Sequence, residues 1–149
     1  MSRDRDDWLT RIKAVERDYS AARFALDRLL ESARSDQTIL RSVLDIRDLT
    51  QAWSRLEATY FIRLFAVFES GLRDFWQVQR RGRMPRTEHL LDGVASARGI
   101  PNDLLMSAHA VRRYRNSLVH EQGEEIGSIP LGMARGHLCT FFSRLPPTW

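Results

Sequence analysis

The feature that most constrains the fold is a long apolar segment between residues 51 and 80. Its aromatic and aliphatic side chains recur at three- and four-residue steps, as on one face of an α-helix: Leu56, Tyr60, Phe61, Leu64, Phe65, Phe68, Leu72, Phe75 and Trp76. Ile62, Ala66 and Val67 extend this stripe almost around the helix. A helix that is apolar on nearly all sides is buried between neighbouring helices or in an interface between two copies. The segment therefore predicts a central, buried helix.

Helical periodicity also predicts the elements on either side of the central helix. The expected elements span residues 4–33, 38–49, 86–98, 102–119 and 130–144. The 38–49 element is either a separate short helix or a helical turn that runs on into the central helix. Gly99 is placed to end one helix, and Pro101 with Asn102 to begin the next. Because no period-two strand pattern is evident, we predict an all-α fold: an antiparallel bundle of four or five helices in one domain, residues 1–149.

Composition and cysteine usage exclude several classes of protein. With 149 residues, 43% hydrophobic and 28% charged, the chain is long enough to bury a core without a disulfide or a structural metal. Cys139 is the single cysteine and cannot form an intrachain disulfide. No apolar run approaches the roughly 18 residues of a membrane span, and the charged N-terminus lacks the apolar segment of a secretory signal. We therefore expect a cytoplasmic protein without membrane association.

The positive charge is concentrated in one part of the chain. Between Arg80 and Glu121 there are eight arginines and four acidic residues, an excess that equals the net charge of +4 for the whole chain. A local excess of arginine is typical of a surface that binds phosphate groups. The alternative is a solvated surface without a partner. A general bias towards arginine codons would also explain why nearly all the basic residues are arginine.

A short motif near the end of the 102–119 helix combines a fixed cation with a titratable side chain. Arg115 is followed directly by Asn116 and, five positions after the arginine, by His120. Arginine binds phosphate in a bidentate manner, and histidine exchanges a proton near neutral pH. On a continuous helix the two would lie about 140° apart. They converge only in a shared cleft, in a two-fold dimer, or where the helix unwinds near His120, which the following Glu121-Gln122-Gly123 favours.

The Arg115-Asn116-x-x-x-His120 pattern at the end of a late helix resembles the nuclease motif of the HEPN superfamily. The segment from Leu64 to Asp74, with Glu69 among aromatic residues, is similar to the long second core helix of that superfamily. The resemblance covers most of the chain as architecture and about six residues as motif. It implies a fold of packed helices and a homodimer whose two motifs line one cleft.

The resemblance also implies an activity, a metal-independent endoribonuclease that needs no cofactor. The ribose 2′-OH would attack the adjacent phosphate, leaving a 2′,3′-cyclic phosphate and a 5′-OH. His120 would then act as general base or acid, Arg115 would bind the scissile phosphate, and Asn116 would position His120 or the phosphate. Glu69 would orient Arg115 across the bundle. Many members of the superfamily are toxins inhibited by an antitoxin protein or are components of antiphage defence.

Neighbouring residues are candidates for RNA binding. Arg112 and Arg113 could bind RNA phosphates, and Tyr114 could stack on a base. Each candidate could instead have an ordinary structural role. His120 could interact with the last helix carbonyls, Arg115 could form a surface ion pair, Asn116 could be a polar surface residue, and Arg112, Arg113 and Tyr114 could form a solvated helix face. Glu69 could pair with Arg73 one turn later.

Other functions have less support in the sequence. The remaining histidines, His89, His109 and His137, lack metal-ligand spacing, and no glycine-rich loop follows a strand as in nucleotide-binding motifs. A helix-turn-helix DNA-binding protein ranks last because no glycine-containing tight turn between two short helices points to that motif. The main alternative to the nuclease is a non-catalytic helical module that binds RNA, a nucleotide or a protein partner through the same cleft.

Overall fold

The chain folds into an all-α bundle, as the sequence predicts. The structure is a computed structural model that describes residues 4–41, 43–80, 82–120 and 127–149. Its α-helices in these ranges are α1 (Arg5–Ser35), α2 (Ile46–Gln79), α3 (Thr87–Arg98), α4 (Asn102–Val119) and α5 (Leu131–Phe142). A short 3-10 helix, Gln37–Leu40, follows α1.

The two long helices, α1 and α2, form an antiparallel pair. Three contacts establish the direction, because partners late in α1 meet residues early in α2. Trp8 donates to Asp74, the rings of Tyr19 and Tyr60 lie 5.8 Å apart, and Trp53 donates to Asp27. The last turns of α1, the 3-10 helix and the first turn of α2 bury a small separate cluster of Leu30, Ala33, Leu40 and Leu49.

The central helix begins five residues earlier than the expected 51. Asp45 and Asp48 form a reciprocal capping box, in which each side chain accepts from the backbone N–H of the other residue. This arrangement satisfies two N–H groups that the start of a helix would otherwise leave unpaired. The predicted 38–49 element is therefore divided: its first residues belong to the 3-10 helix and its last four to α2.

The aromatic stripe of α2 is covered within a single chain. Phe61, Leu64, Phe65, Phe68 and Leu72 are each at most 1% exposed. Phe68 packs edge-on against two rings of α5, those of Phe141 and Phe142. Neighbouring helices cover these five side chains, because α1, α4 and α5 all pack against α2. Ile62 and Val67, which extend the stripe, are half-buried, and Ala66 is exposed. The homodimer stays a prediction.

Helices α3 and α4 form a second antiparallel pair at one side of α2. Gly99 adopts a left-handed conformation with φ of 60°, ends α3 as predicted, and allows the chain to reverse direction. Asp92 contacts His109, whereas Glu88, one turn earlier on α3, contacts Arg112, one turn later on α4. This pairing brings the start of α3 to the arginine-rich end of α4.

Gly71 should be intolerant of a side chain, because a Cβ atom there would lie 2.7 Å from the Phe142 ring. We expect Gly71→Ala to lower the free energy of unfolding by about 1–2 kcal/mol, since overpacking outweighs the gain in helix propensity. The matched control is Gly136→Ala on α5, where nothing lies within 4 Å of the new Cβ. It should stabilise by up to about 1 kcal/mol. Urea unfolding measures both, and equal stabilisation by the two variants would contradict the packing described.

Candidate functional site

A small cavity of about 200 Å³ lies where α2, the start of α3 and the end of α4 meet. Three arginines and one acidic residue are among the side chains that line it: Phe65, Arg86, Thr87, Glu88, Arg112, Arg115 and Asn116. The cavity therefore has an excess of positive charge at the end of α4, as the distribution of arginine in the sequence predicts. A concave surface with converging guanidinium groups is suited to binding an anion such as phosphate.

Arg115 is held against the core on one side and faces the cavity. Its Cζ atom lies 5.8 Å from the centroid of the buried Phe65 ring, within the range of a cation–π contact. Its Nη1 donates a hydrogen bond of 3.1 Å to Asn116 Oδ1. Its Nε is buried and has no hydrogen-bond partner among the described residues. A buried donor without an acceptor is costly.

Asn116 lies beside Arg115 and contacts both parts of the motif. Its side-chain oxygen accepts from the guanidinium of Arg115, and its backbone carbonyl accepts from the N–H of His120 at 3.0 Å. The amide side chain therefore orients the arginine, whereas the resemblance implies that Asn116 positions His120 or the phosphate.

His120 is the first residue beyond α4. It is exposed, and its backbone is extended, with φ of −107° and ψ of 110°. Because the helix ends at Val119, the 140° separation expected for a continuous helix does not apply to His120. Among the described residues, those that line the cavity include Arg115 and Asn116 but not His120. The helix therefore ends beside His120, as the sequence allowed, and residues 121–123 lie outside the described residues.

Glu69 lies behind the cavity in a compact hydrogen-bond network. Its Oε1 accepts from Arg73 Nη2 and from Thr87 Oγ1, both at 2.6 Å. Burial raises the pKa of this carboxyl group. The hydrogen bonds from Thr87 and Arg73, together with the charges of Arg73 and Arg115, lower it by more than burial raises it, so the pKa lies below its usual value. The pairing with Arg73 is the alternative that the sequence allowed. In the described part of the chain Glu69 forms no hydrogen bond with Arg115, and only its charge connects the two.

The three candidate RNA-binding residues of α4 point in different directions. Arg112 lines the cavity beside Arg115, and its side chain is only 15% exposed. Arg113 is exposed and is not among the described lining residues. Tyr114 packs edge-on against Phe61, with ring centroids 4.8 Å apart, and lines a different cavity beside Leu118 and Ile129. The structure thus places Arg112 with the motif and separates Arg113 and Tyr114 from it.

The structure brings several residues to this site that the sequence motif does not indicate. Arg86 and Thr87, at the start of α3, line the cavity, and the buried His109 contacts Arg112. The spacing of three residues between His109 and Arg112 is a helical-neighbour signal that predicts their contact. No comparable local signal places α3 beside α4, because that contact depends on the turn at Gly99.

Comparisons with family models, with curated proteins and with solved structures find no match. Within the described ranges, no helix is both long enough and apolar enough to cross a membrane. The same residues contain no group of three or more histidine, cysteine, aspartate or glutamate side chains that could hold a metal ion. What characterises the candidate site is its concentration of guanidinium groups.

Glu69→Gln should destabilise the fold in a pH-dependent manner. A lowered native pKa means that the carboxylate stabilises the folded state above its unfolded pKa of about 4.3. That contribution is lost as the pH falls through the native pKa. We expect a loss of about 1–2 kcal/mol at pH 7, because charge-assisted hydrogen bonds are removed. The difference from the wild type should shrink as the pH falls below the unfolded pKa and through the native pKa, because the wild-type side chain then becomes neutral as well.

Urea unfolding at several pH values tests this dependence. The control is Glu31→Gln, which removes a carboxylate that is 77% exposed and whose contact with Arg28 is 3.9 Å long. An exposed pair of this kind contributes little to stability. A destabilisation by Glu69→Gln that is the same at pH 7 and pH 3 would contradict the assigned role of its charge.

Proposed function

We propose that this protein is a HEPN-type endoribonuclease that cleaves RNA without a metal ion, through a site formed in a homodimer. The proposal combines the resemblance of the Arg115–His120 motif to the superfamily with the position of Arg115 in the bundle. The single observation that supports it most is the arginine-lined cavity at the end of α4, in which a half-buried Arg115 is oriented by Asn116. RNA is the partner whose repeating phosphates match this charge.

The chemistry assigned to the site needs two functions, binding of the phosphate and transfer of protons. Arg115 and Arg112 would bind the scissile phosphate and stabilise the charge that develops on its oxygens. A base removes the proton from the ribose 2′-OH, whose oxygen attacks phosphorus. The bond to the 5′-oxygen breaks, and an acid protonates that leaving group. The products are a 2′,3′-cyclic phosphate and a 5′-OH, and His120 is the side chain suited to the proton transfers.

A homodimer accounts for the separation of His120 from the cavity within one chain. In a two-fold dimer the same surface of each copy contacts the other. The exposed His120 of one protomer would then face the arginine cavity of its partner. We further propose that the enzyme acts in the cytoplasm as a toxin, inhibited by an antitoxin protein, or as an antiphage effector.

A second candidate is a non-catalytic helical module that binds RNA, a nucleotide or a protein partner. The specific observation that favours it is the position of His120, which is exposed and outside the cavity of its own chain. In this alternative the arginines bind a phosphate group and no proton transfer takes place. The two candidates differ in whether loss of His120 abolishes turnover or leaves the measured function unchanged.

Cleavage of a labelled single-stranded RNA in EDTA distinguishes these candidates. We expect the wild type to leave 2′,3′-cyclic phosphate ends. His120→Ala should lower kcat by about 10²–10⁴-fold, because the proton-transfer group is lost. Arg115→Ala should lower it by about 10²–10³-fold, because transition-state charge is no longer stabilised.

The control for this assay is Arg47→Ala, which removes an exposed arginine from the first turn of α2. Its cleavage rate should equal that of the wild type. Equal activity in His120→Ala and the wild type would contradict the catalytic proposal. RNA binding without cleavage would support the binding module.

Mixed dimers test whether the site is shared between two copies. If each site combines Arg115 of one protomer with His120 of the other, a dimer of Arg115→Ala with His120→Ala retains one intact site. Mixed dimers isolated with two different affinity tags should therefore regain about half of the wild-type activity. Dimers of either variant alone should remain inactive. Inactive mixed dimers, or sedimentation as a 17.3 kDa monomer at micromolar concentration, would contradict the shared site.

A further inference from the structure

His109 is a buried polar side chain, 7% exposed, that belongs to none of the roles proposed above. It lies on α4 one turn before Arg112. Its Nε2 is 2.7 Å from Asp92 Oδ1 on α3, and its Nδ1 accepts a hydrogen bond of 3.3 Å from Arg112 Nε. Because a guanidinium only donates, Nδ1 must be unprotonated. The ring proton therefore lies on Nε2 and is donated to Asp92.

These contacts form a chain that runs from the surface of α3 to the cavity. Asp92 orients His109, and His109 holds the Nε edge of Arg112. Arg112 Nη2 also lies 3.6 Å from Glu88 Oε1. A long arginine side chain samples many rotamers unless its nitrogens are held. Contacts at both Nε and Nη2 restrict the guanidinium of Arg112 beside Arg115, at the cavity that both residues line.

We propose that His109 is a positioning residue that, in its neutral form with the proton on Nε2, presents Arg112 to an RNA phosphate in the cavity. The inference rests on the proposed function, since it assigns the phosphate to RNA. His109 itself touches no reacting atom in this arrangement. It acts through Arg112, in the way that an outer hydrogen-bond partner orients a ligand-binding group.

Two substitutions of His109 separate its two hydrogen bonds. The side-chain amide of asparagine reaches the position of Nδ1, and that of glutamine reaches the position of Nε2. His109→Asn therefore keeps an acceptor for Arg112 and loses the bond to Asp92. His109→Gln keeps the contact with Asp92 and loses the acceptor for Arg112. If His109 only joined α3 to α4, the asparagine variant would be the more damaged one, and RNA affinity would not distinguish the two.

The affinity of each variant is measured with a 2′-O-methyl single-stranded RNA, which presents phosphates but cannot be cleaved by 2′-OH attack. We expect His109→Gln to bind about tenfold more weakly than the wild type, the order of effect that loss of an orienting partner has. His109→Asn should remain within about twofold of the wild type. In an Arg112→Ala background, His109→Gln should cause no further loss, because the effect passes through Arg112.

Equal affinity of the wild type and both variants would overturn the proposal, as would an independent loss in the Arg112→Ala background. Thermal unfolding identifies any variant that fails to fold.

Nitrogen NMR of the wild-type side chains provides a readout that does not require RNA. It should show His109 protonated at Nε2 and a protected Arg112 Nε–H. A proton on Nδ1 would overturn the proposal. If the wild type shows the expected signals but binds no RNA, the proposed function fails, the assignment of RNA to this site fails with it, and the contact between His109 and Arg112 stands.

Discussion

The packing of the α2 aromatic stripe against α5 is the interaction on which the rest of the structure depends. Phe68 lies at its centre and contacts Phe65 on its own helix and Phe141 and Phe142 on α5. Close approach of the helices requires Gly71, because the Phe142 ring occupies the space of a side chain there. Burial of large aromatic side chains is a major contribution to the stability of a small domain, and here it holds α5 against α2.

The candidate site depends on the same stripe. Phe61 and Phe65 of α2 pack in the core while contacting Tyr114 and Arg115 of α4. These two contacts set the rotation of α4, because consecutive helical residues point about 100° apart. Tyr114 is thereby directed towards α2 and the 129–130 region, and Arg115 towards α3. A charged side chain placed on an aromatic ring at the edge of the core is partly desolvated, and its attraction for an anion is stronger than at an open surface.

Much of the fold could be predicted from local pattern, whereas most of the site could not. The end of α3 and the start of α4 agree with the sequence because Gly99 and Pro101 are strong local signals. The start of α2 was missed because its capping box uses two aspartates rather than the more familiar serine or threonine with glutamate. The sequence left two partners open for Glu69, Arg115 and Arg73. Glu69 pairs with Arg73 in a network that Thr87 of α3 completes.

The sequence by itself determined that the chain is helical, that its longest apolar segment is central, and that its positive charge gathers near Arg115. These properties follow from the period of 3.6 residues and from composition, both of which are local. Only the tertiary structure decided that Arg86, Arg112 and Arg115 share one cavity, that His120 stands outside it, and that His109 holds Arg112. The reason is physical: which residues of two helices meet is set by the turn between them and by packing against a third helix, and neither is encoded in the spacing along one helix.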